Sequence, residues 1–185
     1  MRTTVKAAGY LVICALLSQL GECAFGQAAP AEDFDAEISG HFLKSAKPSY
    51  AKRRAKKANK PLLVLLTKRG CGACQNLKQA LNNGGKPGPG GAPGSATTAK
   101  SLLAGFVVVH AKDAEMAAWQ APGQHYAPQA YFYAPGEEQP LPIEGSSTKS
   151  PRFFHDEATL VWGMQKALEV VKTGERSNGK GKGEL

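Results

Sequence analysis

The stretch Lys60-Pro61-Leu62-Leu63-Val64-Leu65-Leu66-Thr67-Lys68-Arg69-Gly70-Cys71-Gly72-Ala73-Cys74 decides how this chain reads. Residues 62–66 form an unbroken apolar run with the length of a strand. Continuous apolarity, as opposed to alternation, fits a strand buried on both faces. A short polar turn follows, then two cysteines with two residues between them. A helical stretch, 74–82, continues from there with Leu77 and Leu81 at i, i+4. Upstream, 49–59 reads as a basic helix with Ser49 as its N-cap, Asn59 at its end and Pro61 as the stop.

The pattern extends downstream. Gly84 ends the helix that follows the cysteines, and 84–94 (Gly-Gly-Lys-Pro-Gly-Pro-Gly-Gly-Ala-Pro-Gly) reads as a surface loop, neither helix nor strand. A short helix near 97–103 leads to a second buried strand at 106–109, and 114–120 allows a further helical turn. A third strand at 130–133 turns at Pro135-Gly136 into a fourth near 141–143. A last helix is capped by Asp156 and runs to about Lys172, with Leu160, Val161, Met164, Leu168 and Val171 as its apolar face. Residues 27–48 are a mixed polar N-terminal arm or a short initial strand and turn. A β-α-β unit followed by β-β-α predicts an α/β domain over 49–174 with a thioredoxin-like fold, a central mixed sheet flanked by helices.

Composition sets the frame. With 185 residues, 42% hydrophobic and 21% charged, the chain suits one domain and is not wholly disordered. Four cysteines are too few for a disulfide scaffold, and a formal charge of +8 permits an anionic partner without establishing one. The N-terminus reads as a signal peptide over 1–26. Arg2 and Lys6 precede an apolar run at 7–17 that is too short to span a bilayer, and Ala24-Phe25-Gly26 or Gly26-Gln27-Ala28 offers cleavage spacing. Gly21 and Glu22 interrupt the run and argue against an anchor, and Glu22 before Cys23 argues against a lipid-attachment box. Removing this segment takes away Arg2, Lys6 and Glu22, which lowers the charge from +8 to +7, and leaves Cys71 and Cys74 as the only cysteines. At the other end, Lys182-Gly183-Glu184-Leu185 closes a flexible polar tail, 175–185, and is similar to the Lys-Asp-Glu-Leu retention signal. Together the ends predict the endoplasmic-reticulum lumen. In a bacterial source the compartment would be the periplasm, and secretion is the other alternative.

The cysteine pair carries the chemistry. A cysteine at a helix N-terminus meets unpaired N–H groups and the positive end of the macrodipole, which favour the thiolate, the attacking species. Cys71, at the exposed end, would attack a substrate disulfide, and Cys74, one turn inward, would resolve the mixed disulfide. Lys68 and Arg69 would lower the Cys71 pKa further if they lie near the sulfur. Other readings are weighed against this one. Structural zinc usually needs four ligands, and His41, His110, His125 and His155 are scattered. Gln75 stands where c-type haem attachment needs histidine. A purely structural disulfide is possible, but a two-residue spacer makes a poor staple.

These residues, together with Tyr126-Ala127-Pro128, resemble the thioredoxin superfamily, and within it the small single-domain endoplasmic-reticulum thioredoxins of the anterior-gradient group. The resemblance covers about 49–174 and both end signals, and 153–169, including Val161-Trp162-Gly163-Met164, is similar too. It implies a thiol–disulfide oxidoreductase that reduces, forms or isomerises disulfides in secretory-pathway clients, with Cys71 as nucleophile and Cys74 as resolving thiol. It also implies a cis Ala127–Pro128 bond facing the pair. The Ala127 backbone would bind substrate main chain, and Pro128, with no N–H and no ligand, would keep metal off the thiolates. An ordinary trans proline at a strand entry is the alternative. No cofactor, metal or nucleic acid is expected, nor an anchor after leader removal. The protein would act as a monomer, and a retention receptor would read the tail. A redox-inactive, chaperone-like client-binding module is the alternative function.

The chain departs from the family at several points. Gly70 replaces the usual tryptophan beside the first cysteine, 84–94 looks inserted, and Leu65 stands where many members carry a buried acid. Ala73 replaces the histidine of disulfide isomerase sites, so the pair is expected to be less oxidising than theirs. Lys44, Lys47, Lys52, Arg53, Arg54, Lys56, Lys57 and Lys60 read as a solvated basic face, with nucleic acid, heparin-like polymers or acidic clients as the alternatives. Trp162 and Met164 read as core, and Trp119 as either core or site. His110 reads as a strand-end residue and His155 as a loop residue.

Overall fold

Strand β1 (Leu62–Thr67) is buried along its whole length because it is the middle strand of three. This computed structural model describes residues 34, 36–83 and 97–174. The leader at 1–26, the loop at 84–94 and the tail at 175–185 lie outside the described residues. β2 (Val107–Lys112) pairs with β1 in parallel, with Leu65 opposite His110. β3 (Gln129–Tyr133) pairs with its other side antiparallel, with Leu65 opposite Ala130. The result is a mixed α/β arrangement, a three-stranded mixed sheet in the order β2-β1-β3 flanked by helices.

The helices are α1 (Ala36–Ser39), α2 (Pro48–Ala58), α3 (Gly72–Asn83), α4 (Ala99–Leu102) and α5 (Glu157–Thr173), with 3-10 turns at Leu103–Gly105 and Asp113–Ala118. A parallel pair needs a crossover, and α3 with the segment after it lies on the path from β1 to β2. Alternation along β1 sends side chains to two cores. Leu63 and Leu65 pack with Leu77 and Leu81 of α3, Phe132, and Leu160, Met164 and Ala167 of α5. Leu62, Val64 and Leu66 pack with Ala51 and Ala55 of α2, Met116 and Trp119. Burying each of these large β1 side chains is worth about 1.5–3 kcal/mol. This double burial fixes the sheet's middle strand, and with it the loop that leaves its C-terminal end.

Several expectations are corrected. α2 begins at Pro48, with Lys47 in the cap position, so Ser49 is inside the helix and is not its N-cap. Proline is at home in a first helical turn, where its missing N–H costs nothing. Asn59 does end the helix, in the left-handed conformation at φ 48°. The fourth strand does not form. Leu141 donates its N–H to the Phe132 carbonyl, but Pro140 and Pro142 on either side have no N–H with which to extend a ladder. The Ile143 N–H folds back to the Leu141 carbonyl, and the Arg152 guanidinium takes the carbonyls of Leu141 and Ile143 at 2.9 and 2.7 Å. Trp162 is not core. It is 46% exposed, whereas Met164 is fully buried as expected. Trp162 lies roughly 200° around α5 from Leu160, at about 100° per residue, which turns it away from the face that packs.

Part of the stretch read as an arm belongs to the fold. Phe34 and Ile38 are buried, Phe42 forms a parallel bridge to Val108, and the Leu43 N–H bonds to the Val108 carbonyl. The Asp156 cap is present, with its carboxylate accepting from the Thr159 N–H at 2.8 Å. Gly163 allows α5 to lie directly on Phe132 and Phe154. Among the described residues no helix is long and apolar enough to cross a membrane.

Candidate functional site

The loop after β1 turns at Gly70, whose φ is +68°. Side chains avoid that region, although nothing stands within 4 Å of where a Cβ would go. Backbone conformation, not crowding, therefore disfavours a tryptophan here. α3 then starts beside Cys71. The Cys71 carbonyl accepts from the N–H groups of Cys74 and Gln75 at 3.0 and 3.1 Å, and the Cys74 N–H also lies 3.2 Å from the Cys71 sulfur. Cys71 and Cys74 are joined as a disulfide with their Cα atoms 5.2 Å apart. Cys71 is only partly buried, whereas Cys74 is 1% exposed. Of the two residues, Cys71 is therefore the one open to an incoming group.

The predicted site residues converge. The Ala127–Pro128 bond is cis, and the Ala127 carbonyl oxygen lies 3.6 Å from the Cys71 sulfur. Pro128 is buried behind it, at the entry to β3. Cys71, Cys74 and Ala127 thus share one spot, at the junction of the C-terminal end of β1 with the start of α3.

The expectation for Lys68 and Arg69 is modified. Arg69 is engaged by Asp113, which accepts the Arg69 backbone N–H at 3.0 Å and its Nε–H at 2.9 Å. Asp113 opens the 3-10 turn after β2 in the left-handed conformation, with φ 46°. Its carboxyl is held below the usual carboxylate range, first by the backbone hydrogen bond from Arg69 and then by the charges of Arg69 and Lys68, against the opposing effect of desolvation. The Arg69 charge next to the cysteine loop is therefore partly balanced. Nothing in the local sequence announces this contact, which joins residues 44 positions apart.

A second group that sequence reasoning missed braces the segment of Ala127. Gln129 is fully buried; its amide donates to the Tyr126 carbonyl at 2.7 Å, and its carbonyl accepts from the Tyr131 hydroxyl at 2.7 Å. The Tyr126 hydroxyl accepts the Arg152 N–H at 2.9 Å, and the Arg152 guanidinium lies 5.4 Å above the Tyr131 ring. Desolvation raises the pKa of Tyr126 and Tyr131, and burial, with Tyr131 beside it, pushes Tyr133 up to about 12. These hydroxyls therefore stay protonated and can keep donating. A glutamine beside a proline at a strand entry was the one available signal.

Leu65 is fully buried and apolar. His110 lies opposite it, inside β2 and not at the strand's end, with Nε2 2.7 Å from the Thr67 hydroxyl and the rings of Phe34 and Phe42 against it. Trp119 is core. It packs on Tyr133 and donates its indole N–H to the Ala46 carbonyl at 2.8 Å. His155 sits in a loop beside Asp156, as expected. Among the described residues no three His, Cys, Asp or Glu side chains gather into a set that could hold a metal ion. No family model matches this sequence, and no curated protein matches it.

Proposed function

We propose that this chain is a thiol–disulfide oxidoreductase with a thioredoxin-like fold, acting on polypeptide clients in the endoplasmic-reticulum lumen. One observation carries the reading: a disulfide at a helix N-terminus with an accessible outer sulfur, a buried inner one, and a backbone carbonyl 3.6 Å from the outer sulfur. A disulfide that served only stability would gain little from so small a ring and needs no accessible sulfur. The sheet order supports the fold assignment. Phe42 bridges β2 at one edge of the three strands and Leu141 bonds to β3 at the other, neither forming a further strand.

In the oxidising direction a client thiolate attacks the Cys71 sulfur. A client–Cys71 disulfide forms, the Cys71–Cys74 bond breaks, and its electron pair leaves on Cys74 as thiolate. A second client thiolate then attacks the client sulfur of the mixed disulfide and expels Cys71 as thiolate. The client has lost two electrons and the pair has gained them. Reduction runs the same steps backwards, with Cys71 thiolate as the attacker. The Cys74 N–H near the Cys71 sulfur and the first-turn N–H groups favour that thiolate. The backbone at Ala127 is the surface against which an extended client segment would align. With Leu65 in the family's acid position, proton exchange at Cys74 would go through water.

Insulin disulfide reduction is the direct test. Cys71→Ser is expected to abolish turnover, and Cys74→Ser to accumulate mixed disulfides through Cys71. Unchanged reduction by Cys71→Ser would overturn the enzymatic reading and favour a client-binding module on the same fold. The lumenal address is tested by locating the protein with and without residues 182–185; retention that survives the deletion would remove the tail from the argument.

A further inference from the structure

The eight lysines and arginines between 41 and 60 equal the chain's entire formal charge of +8, and that window contains no acidic residue. Everything outside it balances, with fifteen basic and fifteen acidic side chains. The charge is therefore one local feature and not a property of the whole molecule.

The structure gathers most of this charge on α2. Ala51 and Ala55 are buried and fix which side of the helix meets the sheet. Arg53, Arg54, Lys56 and Lys57 are exposed. At about 100° per residue they spread over an arc of roughly 160°, centred opposite the two alanines. Lys52 is partly covered and pairs with Glu138 at 2.7 Å. None of the four exposed cations has a carboxylate partner among the described residues. Arg53–Lys57 at i, i+4 and Arg53–Lys56 and Arg54–Lys57 at i, i+3 are like-charge neighbours, which weaken a helix. An anion laid along the face would relieve all three pairs at once.

The face also indicates which class of anion fits. Its apolar side chains are spent in the core, so it has nothing to insert into a bilayer, as an interfacial helix does. Its one aromatic ring, Tyr50, is partly buried with the Arg53 guanidinium 5.9 Å above it, so the face presents no exposed large apolar anchor for a protein–protein interface. The exposed side chains of this arc are cationic apart from Ser49 in the first turn, so the face is dominated by charge and carries no amide side chain. The one exposed large hydrophobic residue among those described, Trp162, belongs to α5. What remains is recognition by charge alone, around a convex surface, which suits a flexible linear polyanion better than a rigid duplex.

We propose that the outer face of α2 is a binding site for a linear sulfated polysaccharide. The choice of sulfated sugar over nucleic acid rests on the secretory address proposed above; the site itself does not depend on the cysteines. It lies at the far end of the sheet from them. α2 leads into the start of β1, Lys52 and Lys56 lie against residues 136–138 just beyond β3, and Cys71 follows the opposite end of β1.

The experiment uses the full-length protein and a heparin dodecasaccharide, with affinity measured against sodium chloride. Four neutralised cations give a log–log salt slope of about 3, at roughly 0.7–0.9 per contact as for other condensed polyanions. Arg53→Glu/Arg54→Glu/Lys56→Glu/Lys57→Glu should lose at least a hundredfold in affinity at low salt and flatten the slope, with its circular dichroism unchanged. The milder Arg53→Gln/Lys57→Gln pair should lower the slope by about 1.5 on the same scale and covers the case of misfolding. Lys149→Glu/Lys172→Glu, altering exposed lysines elsewhere, should match wild type. A double Cys71→Ser/Cys74→Ser protein should still bind, which separates this proposal from the redox reading. Equal binding by the α2 and control variants, or equal competition by a DNA duplex at matched charge, would overturn it.

Discussion

Gln129→Leu removes an amide that holds two buried groups, the Tyr126 carbonyl at 2.7 Å and the Tyr131 hydroxyl at 2.7 Å. The leucine fits roughly the same volume, so the penalty is chiefly polar. An orphaned buried group costs about 1–3 kcal/mol. Tyr131 has a second acceptor in Gln124 at 3.2 Å, so its hydroxyl keeps a partner. The Tyr126 carbonyl is left with only the Gln120 amide at 3.5 Å, the outer limit of a hydrogen bond. Set against a gain of about 1 kcal/mol from the more apolar side chain, the net loss is about 1 kcal/mol. For a fold of this size that lowers Tm by about 2–4 °C. Gln129→Glu separates the polar account from a packing account. Its carboxylate would face the Tyr126 carbonyl with no proton to give, so burial raises its folded-state pKa. The variant should then gain stability as the pH falls from 7 toward 4, where the protonated acid donates as the amide does. The assays are urea unfolding at several pH values and insulin reduction, in which the loosened 126–128 segment should raise KM more than it lowers kcat. A Gln129→Leu protein within about 0.5 kcal/mol of wild type, or a Gln129→Glu protein with no such pH response, would refute the bracing role.

The Arg69–Asp113 contact gives a second pH signature. The Asp113 pKa is depressed on folding, so its contribution is present above the ordinary carboxylate pKa of 3.8 and is lost as the pH falls through the lower folded value. Thermal unfolding from pH 2 to 6 should therefore show wild type ahead of Asp113→Asn at pH 6, with the gap closing in acid; a constant gap would point to backbone conformation alone. Gly163→Ala should destabilise. Its Cβ would come within 2.9 Å of the Phe132 ring and 3.0 Å of Phe154. Overpacking of about 1–3 kcal/mol then outweighs a helix-propensity gain of about 1 kcal/mol. A rise in Tm would show that α5 can step back from the sheet.

The parts of the fold that were legible in the sequence are those whose cause is local. The apolar run 62–66 announced a middle strand because burial on both faces leaves no alternation to read. Asp156 announced α5 because a cap is a short-range hydrogen bond. The start of α2 was also readable, since Pro48 suits a first helical turn better than Ser49 suits the cap. Trp162 could have been placed by its angle from Leu160. The fourth strand fails for a reason only half local: the flanking prolines were visible, but the Arg152 guanidinium that occupies the carbonyls of Leu141 and Ile143 comes from farther along the chain. At the candidate site, the cysteine spacing and Ala127-Pro128 were legible as motifs. Asp113 and Gln129 were not, because what gives them a role is a tertiary contact or a buried partner, and neither residue type is unusual where it stands.

The prolines beside Leu141 have a consequence for how this molecule behaves in a crowd. A sheet edge with free N–H and C=O groups is a template on which other chains can copy themselves into stacked, cross-β aggregates. Here Ala130 and Phe132 of β3 are already bonded to Arg152 and Leu141, and Pro140 and Pro142 prevent that outer segment from acting as a continuous strand. On the opposite side, Phe42 and Leu43 occupy Val108. For a protein proposed to align extended segments of its clients against its surface, edges covered in this way let sticky partners arrive and depart without seeding a fibril on their host.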